Sequence, residues 1–390
     1  MQHKVHQSVP PRVRGSGEIC PDSAYIKNGI SADEDVMPTA RERASHFCKR
    51  YGLAVPILEA PMAGANSLAR AIAVAAAGGM GAMGALLSKP DEIVAWAKAF
   101  REKSKGPFQF NLWIPDPPPV RDARAEAETR AFLAKWGPEV AEDAGNATPP
   151  DFAAQCDAIV AVRPNVVSSI MGLFPEKAVR AFKDAGIAWF ATATTLAEAR
   201  AAQSAGADAI IAQGFEAGGH RGAFENANAE RQLIGLLAFV PRLADTIDLP
   251  IIATGGIADG RGIAAALTLG ASAVQIGTAF LRSTEADTPS AWSDALATTE
   301  PEDTWPTRAF SGRLARSIAT DYVRAAADGP KPAPYPVQRG LTAGMRADAN
   351  KQNDIRRIQA WSGQSAWMAK REPAADFVKR VWDEAQRLLP

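Results

Sequence analysis

His220 stands in the segment AGGHRG (217–222), flanked by glycines that let an imidazole project over a ligand instead of packing into a core. The chain has four histidines, His3, His6, His46 and His220, and three cysteines, Cys20, Cys48 and Cys156, with no CxxC pair. No metal site is expected from that set, and no Ser/His/Asp arrangement surrounds His220. Its chemistry is therefore single-handed: proton transfer, or a hydrogen bond to an anion. Glu216, two residues before the glycine pair Gly218–Gly219, is the alternative acid or base.

Glycines recur as a pair in ATGGI (253–257) and singly in QIGT (275–278). Gly255 and Gly256, and Gly277 with Thr278, would let backbone N–H groups approach phosphate oxygens closely. The turn Asp259-Gly260-Arg261 then opens a helix whose positive end faces the same point. One such cradle suits a mononucleotide. A rival fingerprint, GMGAMG (79–84), matches G-x-G-x-x-G but has a helix pattern before it and a strand pattern after it. That is the reverse of what a dinucleotide site needs, so a helix stop with close packing is expected there. Asn111 and Gln213 are uncharged amides at the ends of apolar runs, able to donate and accept together, as the edge of a flavin ring requires. The segment Trp361-Ser362-Gly363-Gln364-Ser365 offers a further amide and hydroxyls, Gln364 and Ser365 among them.

The elements that must position these residues follow a beat from residue 55 onward. Apolar runs at 55–64, 80–87, 108–115, 164–172, 187–194, 208–214, 250–257 and 272–280 alternate with helical patterns such as Pro175–Ala185 and Leu196–Ala205. Eight parallel strands with crossover helices predict an α/β fold, a closed (β/α)8 TIM barrel, with an open doubly wound sheet as second choice. Two interruptions fall after strand ends, where barrel enzymes place their chemistry: a Pro-rich insertion over the mouth (115–150, with a charged helix Arg121–Trp136) and the loop GFEAGGHRGAF (214–224). The barrel is expected over 50–285. Residues 286–390 read as a helical extension that partly closes the top, with helices near Pro289–Ala297, Ser311–Ala327 and Pro373–Leu388. Residues 1–40 read as a flexible arm without chemistry, followed by a short helix from Met37 to Arg50.

Composition bounds the partners. The 390 residues carry 43 Lys+Arg against 43 Asp+Glu, which leaves no net charge for a polyanion, so nucleic acid is not expected. The uncharged stretch Ala71–Leu87 is broken by four glycines and falls short of the roughly 20 residues a bilayer needs, so no membrane span is expected. No signal-peptide core is visible, and the cysteine usage fits a reducing compartment; a cytoplasmic protein, monomer or homodimer, is expected.

VPILEAPMAG, NLWIP, GFEAGGHRG, ATGGI, QIGTAFL, AFSGRLAR (309–316) and WSGQSA (361–366), in that order, resemble the nitronate monooxygenase family over roughly residues 50–370. The resemblance implies a TIM barrel holding FMN without covalent attachment and oxidising alkyl nitronates, and by extension nitroalkanes, with O2 to a carbonyl compound and nitrite. It implies that Pro61, Met62 and Ala63 lie beside the flavin, and that Asn111, Gln213, Gly218 and Gly219 contact its ring or ribityl chain. Gly255, Gly256, Gln275, Gly277 and Thr278 would hold the phosphate end, and His220 takes the place of the family's catalytic histidine. The arm and the long segment with Pro117–Pro119 depart from the family pattern and leave substrate size open. NAD(P)H-dependent flavin reductases of the same barrel type, enoyl or quinone reductases, are the alternative.

Overall fold

The computed structural model describes residues 38–390; the N-terminal arm, up to residue 37, lies outside the described residues. Eleven strands occur among them: β1 Ile57–Glu59, β2 Gly81–Gly84, β3 Phe108–Trp113, β4 Val166–Ile170, β5 Ala188–Ala193, β6 Ala209–Gln213, β7 Gly219–His220, β8 Ile251–Thr254, β9 Ala273–Ile276, β10 Thr304–Thr307 and β11 Ala315–Ile318. Eight of them form one parallel sheet in the order β1-β9-β8-β6-β5-β4-β3-β2. A parallel bridge between Leu58 and Met80 brings the two edge strands together, which makes the sheet a (β/α)8 TIM barrel. Each barrel strand lies inside one of the eight apolar runs. The strands are shorter than the runs because residues such as Pro61 and Gly64 turn the chain into the loops at the mouth.

The wall closes in an order the sequence did not suggest. Ala374–Leu388 buries Phe377, Val378, Val381 and Ala385, one helical stripe, against the helices Gly260–Thr268 and Leu68–Ala76. It therefore takes the slot of the eighth crossover helix, and the chain between β9 and this helix is an excursion across the mouth. Gly260 permits the approach: a Cβ there would stand 2.6 Å from the Ala385 nitrogen. The GMGAMG glycines serve the same purpose, since a Cβ on Gly81 would meet the Ala71 carbonyl oxygen at 2.5 Å. A helix (Leu68–Ala76) precedes them and β2 runs through the motif itself, so no helix opens after the glycines as a dinucleotide site needs.

The bottom of the barrel is plugged by the helix Ala40–Tyr51. A Thr39–Glu42 capping box starts it, and Gly52, at φ 70°, ends it. Its Phe47 and Tyr51 rings stand against Phe190 of β5 at 6.1 and 4.9 Å and join Leu58, Val166 and Ile252 in the lower core.

Over the mouth, the excursion contains the helices Ser290–Leu296, Asp321–Ala327, Val337–Leu341 and Ala343–Gln352. The helix read over Ser311–Ala327 is corrected: its first part is β11, and only Asp321–Ala327 is helical. β11 pairs antiparallel with β10 and with β7, so tertiary pairing overrides the alanine-rich local pattern. The insertion after β3 carries a helix, Ala123–Leu133, capped by Asp122, whose Leu133 packs with Phe310, Tyr322 and Leu341 of the excursion. Among the described residues no helix is long and apolar enough to cross a membrane.

Candidate active site

The ends of the barrel strands and the excursion enclose a cavity of about 300 Å³. Pro61, Met62 and Ala63 line it from the loop after β1, and Asn111 from β3. A buried ion pair positions that first loop: Arg70 Nε donates to Glu59 Oε1 at 2.6 Å, and Arg70 Nη2 to the Ala65 carbonyl at 2.7 Å. Both side chains are sealed from water, and Glu59 Oε2 accepts from the Ala82 N–H.

Gly255 and Gly256 after β8, and Gln275, Gly277 and Thr278 on and after β9, also line the cavity. Gly255 and Gly256 sit at φ 122° and 65°, in the left-handed region that favours glycine. The backbone N–H groups of Gly255, Gly256 and Gly277 donate to none of the described residues. Unpaired amides on the loops after the seventh and eighth barrel strands fit a phosphate group. The same glycines also answer a packing need, because a Cβ on Gly255 would meet the Ala217 nitrogen at 3.0 Å.

Two amides expected to face a cofactor divide their bonds differently. Asn111 Nδ2 donates to the Ser168 hydroxyl and carbonyl, which leaves its Oδ1 as an acceptor toward the cavity. Gln213 spends both polar atoms on the histidine loop: Nε2 donates to the His220 carbonyl at 2.9 Å and Oε1 accepts from the Gly222 N–H at 2.8 Å. Gln213 thus braces the loop that carries His220 from within the cavity wall.

Gly218 and Gly219 line the cavity with His220, and the segment 361–365 rests on their loop. Gly363 N–H donates to Thr278 Oγ1 at 3.0 Å, and Ser365 Oγ to the Gly256 carbonyl at 2.7 Å. Gln364 lies outside the lining; its backbone N–H donates to the Glu216 carbonyl. Glu216 also lies outside the lining, with Oε1 accepting from the Leu236 N–H, so it stands behind the loop.

His220 is on β7, paired with Ala315 of β11. Its ring meets Trp113 at 4.7 Å and Trp361 at 5.0 Å, both edge-on, and Nε2 is 2.7 Å from Ser311 Oγ. Burial first, then the guanidiniums of Arg313, Arg339 and Arg346, push its pKa down to about 3, so the ring is neutral at physiological pH. Arg313 is bound to Asp116 of the insertion, which ties that segment to the excursion. Arg339 and Arg346 line the cavity; Arg346 donates to Thr342 Oγ1 and to the Arg339 carbonyl, while the Arg339 guanidinium bonds to none of the described residues. The sequence reading missed this pair. Arg339 lies on Val337–Leu341 and Arg346 on the next helix, so no periodicity of a single helix joins them.

A neutral imidazole, an unpaired guanidinium and unpaired backbone amides thus line one cavity, a set of groups that suits anionic ligands. The comparisons with known proteins bear on the family. A family model described as "Nitronate monooxygenase" matches residues 47–384. A nitronate monooxygenase of Paraburkholderia phytofirmans is 38% identical over 352 residues, covering 87% of this chain and 94% of the relative. The solved structure of a nitroalkane oxidase from Streptomyces ansochromogenes is similar with a TM-score of 0.79 at 34% identity, covering 86% of this chain and 97% of that one. FabK from Thermotoga maritima is similar at a TM-score of 0.68 and 26% identity, covering 90% of this chain and 97% of the other. With barrel, mouth and matched span in agreement, the chain belongs to the nitronate monooxygenase family.

Proposed function

We propose that the protein is an FMN-dependent monooxygenase that oxidises alkyl nitronates with O2 to a carbonyl compound and nitrite. The observation that carries this reading is the uncharged His220 set beside the Arg339 and Arg346 guanidiniums in one cavity wall. A nitronate is an anion that has already lost its α-proton, so the site has to hold negative charge and need not create it. A bound flavin would supply the redox chemistry between substrate and O2.

The chain's own residues orient and enclose. The N–H groups of Gly255, Gly256 and Gly277 suit the FMN phosphate, with Thr278 and Ser365 beside them. Asn111 Oδ1 and the Gln275 amide suit the polar edge of the ring system, and Pro61, Met62 and Ala63 its flat face. Gly218 and Gly219 let the histidine loop come close to it. Ile170, Leu281 and Trp292 make part of the remaining wall apolar, which strengthens the pull of the guanidiniums on the substrate anion. His220 contributes a hydrogen bond at the nitro oxygens.

Three spectra of the purified protein test the reading: as isolated, after anaerobic addition of a nitronate, and after anaerobic addition of NADH to a fresh sample. The expected result is a yellow protein releasing one FMN, bleached by nitronate and slow with NADH. Rapid bleaching by NADH with no response to nitronate would favour a flavin reductase. Release of FAD would overturn the cofactor assignment alone.

A further inference from the structure

His220 enters the cavity with one ring nitrogen already committed. Nε2 lies 2.7 Å from Oγ of Ser311, a side chain 1% exposed, whereas Nδ1 is bonded to none of the described residues. A neutral imidazole carries one ring proton, and its location decides whether the free nitrogen donates or accepts. The other contacts of the Ser311 hydroxyl discriminate. Its oxygen accepts from the Arg313 N–H at 3.3 Å and lies 3.4 Å from the Arg313 carbonyl oxygen. A hydroxyl proton aimed at that carbonyl would occupy the longest of three contacts and oblige the oxygen to accept twice. Aimed at Nε2, it occupies the 2.7 Å contact, the usual length of a good O–H hydrogen bond, and the Arg313 amide fills a lone pair. The Trp113 and Trp361 rings, 4.7 and 5.0 Å from the imidazole, crowd it against the ring flip that would scramble this arrangement.

We propose that Ser311 is a positioning residue: it donates its hydroxyl proton to Nε2 of His220 and fixes the imidazole as the Nδ1–H tautomer, which meets the substrate as a hydrogen-bond donor. The inference rests on the nitronate reading and sharpens its substrate class. A preformed nitronate oxygen accepts from Nδ1–H. A neutral nitroalkane, which still holds its α-proton, finds no basic nitrogen at His220. The arginines around the ring oppose a second proton and keep the donor neutral.

The test is nitrogen-15 NMR of the flavin-loaded protein labelled at histidine, with the His220 signals assigned by their loss in His220→Gln. The expected spectrum has Nδ1 protonated and Nε2 bare in the parent. In Ser311→Ala, which removes one oxygen and leaves the backbone unchanged, the proton should redistribute toward Nε2. The ratio of kcat/KM for a nitronate to that for its nitroalkane should fall about tenfold, in line with the loss of one well-placed donor and the gain of a base. A parent spectrum with Nε2 protonated overturns the proposal, and so do identical tautomer populations in parent and Ser311→Ala. If the parent oxidises no nitronate, the functional reading fails while the spectrum still reports on the Ser311–His220 bond.

Discussion

A Cβ placed on Gly218 would stand 2.5 Å from the backbone nitrogen of Gly363. The loop that presents His220 and the segment that roofs it therefore touch backbone to backbone, with no side chain between them. Gly218→Ala must push the two apart. Because neither backbone is a flexible chain end, the expected outcome is a lower melting temperature together with loss of most kcat/KM for a nitronate. Thermal unfolding and steady-state assays would check both, and an unchanged Gly218→Ala enzyme would contradict the contact.

Removing the imidazole separates a donor from a base. If His220 only hydrogen-bonds to nitro oxygens, His220→Ala should lower kcat/KM for a preformed nitronate by about 10²–10³-fold. A base would matter to the nitroalkane alone, by about 10²–10⁴-fold. The expected result is loss on both substrates with FMN retained. Full activity on both would remove His220 from the chemistry.

The burial of His220 makes stability depend on acid. In the folded protein its pKa is near 3, whereas the ordinary value is 6.5, so between those pH values the unfolded chain binds a proton that the folded one refuses. Stability contributed by this residue is thus intact above about pH 6.5 and falls as pH drops, with a slope of up to about 1.4 kcal/mol per pH unit. Melting temperatures of parent and His220→Gln should converge at neutral pH in slope and diverge below it, the parent falling faster. Parallel curves down to pH 4 would show that the ring titrates normally.

Arg70→Met should be among the most destabilising single changes in the barrel. It leaves the Glu59 carboxylate sealed without its partner, and breaking a buried pair in this way typically costs about 3–5 kcal/mol. Adding Glu59→Gln to Arg70→Met should recover part of the loss. Denaturant unfolding of the two variants gives the comparison.

At the rim proposed to hold the FMN phosphate, Gly277 has the Ala60 Cβ at 3.3 Å and the Met62 Sδ at 3.7 Å from where its own Cβ would lie. Gly277→Val should therefore reduce FMN occupancy more than it lowers stability. Flavin released per protein, measured by absorbance, is the readout.

The barrel was legible because its strands are apolar runs ending in glycine, proline or amide residues, and those ends are also where the site lies. Gly255, Gly256 and Gly277 could be placed for the same reason. Ser311 and Arg346 could not: each acts across a long separation in sequence, and periodicity records only near neighbours. Arg70 was hidden in a helix that reads as small and apolar, since a paired buried cation leaves no local trace. The stretch holding β11 reads as helix because alanines around it suit one, and only its pairing with β10 and β7 makes it a strand.

The placement of Ala374–Leu388 in the wall bears on how the molecule is made. The outer ring of helices is complete only when this helix is in place, and by then the whole of the roof has been synthesised. A truncation before Ala374 would remove a stave and not a lid, and would leave the helices Leu68–Ala76 and Gly260–Thr268 with an open seam between them. Contacts between 68–76 and 374–388 span most of the chain, which makes closure a late and slow event. Any molecule that has completed its helical wall has already carried its roof across the mouth, so the last stave of the wall and the roof of the site arrive together.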